Sequence, residues 1–151
     1  MGIPHVLHRI WLGPHPLPAE FVEYGESWVR HHPGWEHRLW TEDDLTNVRW
    51  HEILDSRRVP AERSHLLRYE VLFDHGGVYI DTDVECLKPI DGLLEGADFV
   101  AAELKPGRVC NAFIAARPGH PILRECVEQV RPLQDFLRTG VARLDRPDVH
   151  A

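Results

Sequence analysis

Nowhere do 18 apolar residues run together, and the N-terminus has no charged segment followed by an uninterrupted apolar core. Neither a membrane-spanning helix nor a secretory leader is therefore expected. Basic residues are few, with 17 Lys and Arg against 24 Asp and Glu for a formal net charge of -7, and no Lys/Arg run concentrates them. Such a chain repels phosphate backbones, so nucleic acid is not an expected partner. The three cysteines, Cys86, Cys110 and Cys126, are odd in number and form no CxxC pair. That speaks against a disulfide framework or a zinc ribbon and fits a reducing, cytoplasmic compartment. Internal repeats, low-complexity tracts and Gly/Ser-rich linkers are missing too, so nothing divides the chain. Histidine is plentiful at 11 residues, but no HExxH arrangement occurs, and the cluster of His31, His32 and His37 is interrupted by Pro33 and Gly34. This is the pattern of loop histidines rather than of a metal site.

What remains is the composition of one cored domain: 151 residues, 43% hydrophobic and 27% charged. Ile3 to Leu12 is β-branched and aromatic, closes on Gly13-Pro14 and reads as a strand and turn with Trp11 at its end. Ala19 to His31 has Phe21, Val22, Trp28 and Val29 at helical spacing before Pro33-Gly34 stops it, although Gly25 interrupts the pattern. A short strand is expected over His37 to Trp40. Thr41, followed by Glu42, Asp43 and Asp44, predicts a capped helix running towards Leu54.

Residues 60 to 91 carry the most information. Pro60 can open a helix and Gly76-Gly77 can end it in the left-handed conformation that glycine permits. Leu66, Leu67, Tyr69, Val71, Leu72 and Phe73 give that helix broad apolar coverage, while Ala61, Ser64, His65 and Arg68 form one polar stripe. Arg68 in such a stripe either pairs with a neighbouring carboxylate or contacts an anion or sugar. Val78 to Leu87 alternates as a strand, placing Tyr79, Asp81, Asp83 and Glu85 on one face. Two strand positions separate Asp81 and Asp83 by about 7 Å, close enough for both side chains to approach one cation. Two carboxylates beside a diphosphate repel it by roughly 4 kcal/mol per close unit-charge pair unless a divalent cation intervenes. An Asp-Thr-Asp triplet is also what a solvated strand end looks like. Here it follows the Ser64/Arg68 stripe, a double-glycine cap and a hydrophobic strand, and ligands of α/β sheets bind at the carboxyl ends of strands.

Taken together, Arg63-Ser64-His65-Leu66-Leu67-Arg68-Tyr69, then Gly76-Gly77-Val78-Tyr79-Ile80-Asp81-Thr82-Asp83-Val84, and the opening Ile3-Pro4-His5-Val6-Leu7-His8-Arg9-Ile10-Trp11, form an ordered set. Asn111 to Ala116, followed by Pro118-Gly119-His120-Pro121, adds a fourth segment. The set resembles the bacterial and fungal glycosyltransferases with a DXD sugar-binding region, related to capsular-polysaccharide and mannosyl transferases and to glucosylating toxins. The resemblance implies an α/β fold of the GT-A (Rossmann-like) type, with one domain over residues 1–151 that is shortened at its C-terminus. It implies a divalent metal (Mn2+ or Mg2+), a UDP- or GDP-sugar donor, and transfer with retention to a glycan, lipid, small-molecule or protein acceptor. On the same grounds Trp11 would flank the nucleobase, although it also reads as a core aromatic. Ser64, His65 and Arg68 would line the donor, Asp81 would touch the ribose or sugar and reach the metal indirectly, and Asp83 would ligate the metal directly.

Two features depart from the family. His65 stands where the family usually has Asp, and an imidazole both donates and accepts hydrogen bonds and titrates near neutrality. The chain also ends at Ala151, where relatives continue, and its polar end from Arg143 to Asp148 reads as a tail. These departures support a second reading, a catalytically inactive domain that binds a nucleotide sugar or metal or serves as an assembly partner. A haloacid-dehalogenase-type phosphohydrolase would also use a strand ending in Asp81. It would need downstream lysine and acidic-pair motifs, however, and Lys105 is the only lysine after residue 103.

Overall fold

In the computed structural model, which describes residues 2–47 and 60–128, the opening strand joins the sheet as β1, Val6–Ile10. Helix α1, Ala19–His31, ends at the expected Pro33-Gly34 break. Gly25 sits inside it for a packing reason. A Cβ there would collide with the Arg9 guanidinium, which crosses the helix to donate to the Phe21 carbonyl at 2.8 Å. Strand β2 spans Glu36–Trp40.

The helix expected from Thr41 opens as a 3-10 turn over Glu42–Asn47. The Thr41 backbone N–H donates to Asp44 Oδ2 at 2.7 Å, and the Asp44 N–H donates back to the Thr41 carbonyl at 3.0 Å. This reciprocal three-residue closure favours the tighter helix. The remainder of that expected helix, to Leu54, lies outside the described residues, as does the tail at 143–148.

Helix α2, Pro60–His75, is buried nearly all round, with Leu66, Leu67 and Leu72 fully inaccessible. Each such leucine stabilises the fold by about 1.5–3 kcal/mol relative to exposure. Gly76 and Gly77 then take φ of +66° and +109°, and a Cβ on Gly77 would strike the Val6 carbonyl of β1. Only glycine allows the chain to turn that close to the neighbouring strand. Strand β3, Gly77–Ile80, follows at once. It is shorter than the expected Val78 to Leu87. The ladder stops at Ile80, and Asp81 to Val84 forms a turn closed by the Val84 N–H on the Asp81 carbonyl at 3.3 Å. The short helix α3, Asp91–Leu94, leads to a hairpin of β4, Phe99–Lys105, and β5, Arg108–Ala116. A last described helical stretch covers 121–128.

The sheet order is β2-β1-β3-β5-β4, with β2, β1 and β3 parallel and β5 antiparallel to both β3 and β4. Alternation along β3 divides the core. Tyr79 packs with α2 residues and Ile10 on one face, while Val78 and Ile80 pack with Trp28, Trp35 and Leu94 on the other. From β1 the chain passes to β2 on one side, then returns across β1 to β3 on the other. The carboxyl ends of β1 and β3 therefore flank a topological switch point, the place where open α/β sheets form a ligand crevice.

Candidate functional site

Trp11 follows the carboxyl end of β1 and Asp81 that of β3, and the two strands are neighbours in the register His8 to Tyr79. The topology thus brings both ends of the expected site to the switch point. Asp81 stays on the α2 face of the sheet with Tyr79. Its Oδ1 accepts from the Tyr79 hydroxyl at 2.6 Å and lies 3.5 Å from Arg68 Nη1. Burial first, and then the nearby Asp81 and Asp83 carboxylates, hold the Tyr79 phenol well above its ordinary range, so it remains a donor. Tyr79 joins the two expected acids in this site, and its signal in the sequence is the parity it shares with Asp81 and Asp83.

Arg68 is 3% exposed. Its Nη1 donates to the Asn111 carbonyl at 2.6 Å, its Nε to the Ser64 carbonyl at 3.4 Å, and the guanidinium lies 4.4 Å from the Tyr79 ring centre. The positive charge consequently reaches the crevice through Asp81. Ser64 is half-buried, and its hydroxyl donates to the Ala61 carbonyl at 3.0 Å. His65, half-buried one residue on, has its pKa lowered by burial and by Arg68, against an opposing pull from Asp81. The imidazole is thereby kept in its neutral form, with one donor and one acceptor.

Trp11 is half-buried. Its indole N–H donates to the His15 carbonyl at 2.8 Å, and its ring meets Phe21 edge to face at 6.0 Å. The ring is thus anchored at its N–H and at one edge. The loop behind it is tied down by Glu42, which accepts from the Gly13 N–H at 3.0 Å and from both terminal nitrogens of Arg63 at 2.5 and 2.7 Å. Those arginine hydrogen bonds keep the Glu42 carboxyl below its usual range. On the other side of β1, the fully buried His8 accepts from the Trp40 indole at 3.1 Å through Nδ1. Its Nε2–H therefore donates to the Gly76 carbonyl, at 2.9 Å. Burial lowers the His8 pKa to about 4.

Among the described residues, no group of three or more His, Cys, Asp or Glu side chains converges on one point. The two aspartates nevertheless suit a cation that arrives with a diphosphate, because such ions are commonly held by one or two carboxylates plus phosphate oxygens. Asp81 Oδ1 is taken by Tyr79 and Arg68, and among the described residues Oδ2 has no such partner. Asp83 is exposed, and among the described residues its carboxylate makes no hydrogen bond or ion pair. A cavity of about 350 Å³ between the 3-10 turn and α2 is lined by Trp40, Asp43, Glu70 and His75, among others, and contains none of these site residues.

The profile described as "Glycosyltransferase sugar-binding region containing DXD motif" matches residues 18–100. The chain is 31% identical over 137 residues to inositol phosphoceramide mannosyltransferase 1 of Schizosaccharomyces pombe, covering 85% of this chain and 43% of that protein. It is 30% identical over 131 residues to an uncharacterized glycosyltransferase of Acanthamoeba polyphaga mimivirus, covering 80% and 52%. The chain thus spans about half the length of the curated relatives it matches. Among solved structures, PaToxG glycosyltransferase superposes with a TM-score of 0.72 at 14% identity, covering 92% of this chain and 62% of that one. At that identity the likeness is one of fold, the α/β GT-A architecture.

Proposed function

This chain belongs to the glycosyltransferase family defined by a sugar-binding region with a DXD motif, and we propose that it transfers a sugar from a nucleoside-diphosphate donor to an acceptor hydroxyl. The observation that carries the reading is the convergence of Trp11 and the Asp81-Thr82-Asp83 turn at the switch point between β1 and β3. In this proposal Trp11 flanks the nucleobase, and Asp83 with the second oxygen of Asp81 would hold Mn2+ or Mg2+. When bound, the cation neutralises charge on the departing nucleoside diphosphate. Arg68 and Tyr79 orient Asp81 from below, so that its free oxygen is presented to the donor without rotating. Neutral His65 and Ser64 line the sugar side, where an imidazole can both donate to and accept from sugar hydroxyls. The acceptor hydroxyl approaches the exposed face of the donor, and transfer proceeds with retention.

Relatives named as mannosyltransferases make mannose the first donor sugar to test, and the naming of inositol phosphoceramide makes a lipid-borne hydroxyl the first acceptor. The decisive experiment is calorimetric titration of the purified chain with GDP and UDP, each with and without Mn2+, followed by turnover of GDP- and UDP-sugars. Metal-dependent binding with turnover supports the transferase and identifies its donor. Binding without turnover would favour a domain that only holds nucleotide sugar, and a chain that binds neither nucleotide would overturn the site.

A further inference from the structure

Beyond Asp81 the chain leaves the ladder, and through residue 90 it has no regular secondary structure. Its backbone is nevertheless held, by side chains of α1 and of His32, which caps it. Trp28 Nε1 donates to the Val84 carbonyl at 2.9 Å, Ser27 Oγ accepts from the Cys86 N–H at 2.8 Å, and His32 Nε2 accepts from the Ile90 N–H at 2.9 Å. Because His32 Nε2 is an acceptor, its proton sits on Nδ1 and is donated to the Trp28 carbonyl at 3.0 Å. The three side chains are at most 4% exposed, and Val84, Cys86 and Ile90 pack into the same core cluster as Trp28.

Val84 is the junction. Its N–H closes the Asp81 turn, and its carbonyl is fixed by Trp28, so both backbone polar groups flanking the residue after Asp83 are spoken for. Among the described residues the Asp83 carboxylate has no side-chain bond of its own, so what they contribute to its place acts through its backbone. We infer that Trp28, backed by Ser27 and His32, is a positioning residue for Asp83: α1, far along the chain from the motif, sets where the second aspartate of the turn stands. This rests on the reading of Asp83 as a cation ligand given above. Groups that orient a ligand from behind are worth about 10–100-fold in metal affinity.

The test uses the full chain with Trp28→Phe, which keeps an aromatic ring near His32, now 5.7 Å from Trp28 centre to centre, and removes the indole N–H together with part of the buried ring. Mn2+ affinity is measured by calorimetry in the presence of saturating GDP or UDP, alone and combined with Asp83→Ala, and hydrogen exchange is followed at the Val84 amide. The expected result is Mn2+ affinity weakened about tenfold, metal-free nucleotide affinity unchanged, faster exchange at Val84, and no further loss once Asp83 is gone. Mn2+ affinity and Val84 exchange both within twofold of the parent would overturn the inference. So would a loss that persists in full when Asp83 is alanine, since that marks a merely structural role. If Trp28→Phe does not fold, Ser27→Ala makes the same comparison through the Cys86 amide. A parent chain with no Mn2+-dependent nucleotide binding would instead bring down the ligand reading, and the exchange data would still decide whether α1 holds the turn.

Discussion

The Tyr79 hydroxyl and the Arg68 guanidinium meet on one oxygen, Asp81 Oδ1, at 2.6 and 3.5 Å, with the arginine lying over the tyrosine ring at 4.4 Å. This arrangement makes Asp81 a carboxylate with one oxygen committed to Tyr79 and Arg68 and the other without a partner among the described residues. Tyr79→Phe removes the inward donor but keeps the ring beneath Arg68. We expect nucleotide affinity to fall about fivefold, with unfolding stability lower by about 1 kcal/mol, the usual net worth of one hydrogen bond. Arg68→Lys is expected to cost more, about 2 kcal/mol, because an ammonium cannot both lie flat on the ring and reach the Asn111 carbonyl. Chemical denaturation and calorimetry of the two variants check the ranking, which would be wrong if lysine were tolerated better than phenylalanine.

Asp83 and Asp81 should separate in what they do to the fold. Asp83 is exposed and unpaired among the described residues, so Asp83→Ala should shift stability by no more than about 0.5 kcal/mol while abolishing the Mn2+ dependence of nucleotide binding. Asp81→Ala should abolish it as well, and should also lower the melting temperature, because it strips the buried Arg68 of its carboxylate. Retention of metal-dependent binding by both folded variants would remove the basis for the cation site.

Much of this arrangement was legible in the residues. Pro60 and Gly76-Gly77 bracket α2 where the helix begins and ends, because one residue is preorganised for a first turn and the other two tolerate positive φ. The carboxyl-end position of the Asp-Thr-Asp triplet followed from the hydrophobic strand before it. The length of β3 did not. Val84, Cys86, Glu85 and Leu87 continue the alternation of β3 because burial on one side imposes a period of two on any extended chain, whether or not its backbone is in a ladder. What ends the strand is the replacement of ladder partners by Trp28 and Ser27, more than 50 residues away in sequence, and no local pattern announces that. Likewise the sequence left Arg68 open between donor contact and carboxylate pairing. Its burial under Asp81 comes from the packing of α2 over β3 and β5. The hairpin strand β4 has a weak signal in the sequence because its exposed second half, Ala102 to Lys105, lacks a one-sided apolar pattern.

Trp11 tests the opposite end of the crevice. Its indole N–H is committed to His15 and its edge to Phe21, so Trp11→Ala removes a ring whose anchoring is partly structural. The expected outcome is nucleoside-diphosphate affinity weaker by about tenfold, in line with the roughly 1–3 kcal/mol that a base–aromatic stack contributes, with Mn2+ dependence intact. Trp11→Phe should recover part of it. Unchanged affinity in the alanine variant, together with a lowered melting temperature, would return Trp11 to the core and move the base-binding role elsewhere.

His8 predicts how stability responds to acid. In the fold its Nδ1 accepts from Trp40 and its Nε2–H donates to Gly76, an arrangement open only to the neutral ring, and its pKa is about 4 against 6.5 unfolded. Below pH 6.5 the unfolded chain binds a proton that the folded chain refuses. The stabilisation is therefore complete above 6.5 and declines as pH falls, by up to about 1.4 kcal/mol per unit, until it levels off below about 4 after a total of about 3 kcal/mol. His65, also depressed by burial, adds a slope of the same sign as pH falls below 6.5. Glu42, whose depressed carboxyl titrates below the ordinary 4.5, contributes only at the acid end. Urea unfolding from pH 7.5 to 4 should thus show a steep fall for the parent and a visibly shallower one for His8→Asn, from a lower starting stability. Parallel curves for the two proteins would mean that the His8 ring accepts a proton in place. The tautomer that clamps β1 to the Gly76 turn would then be wrong.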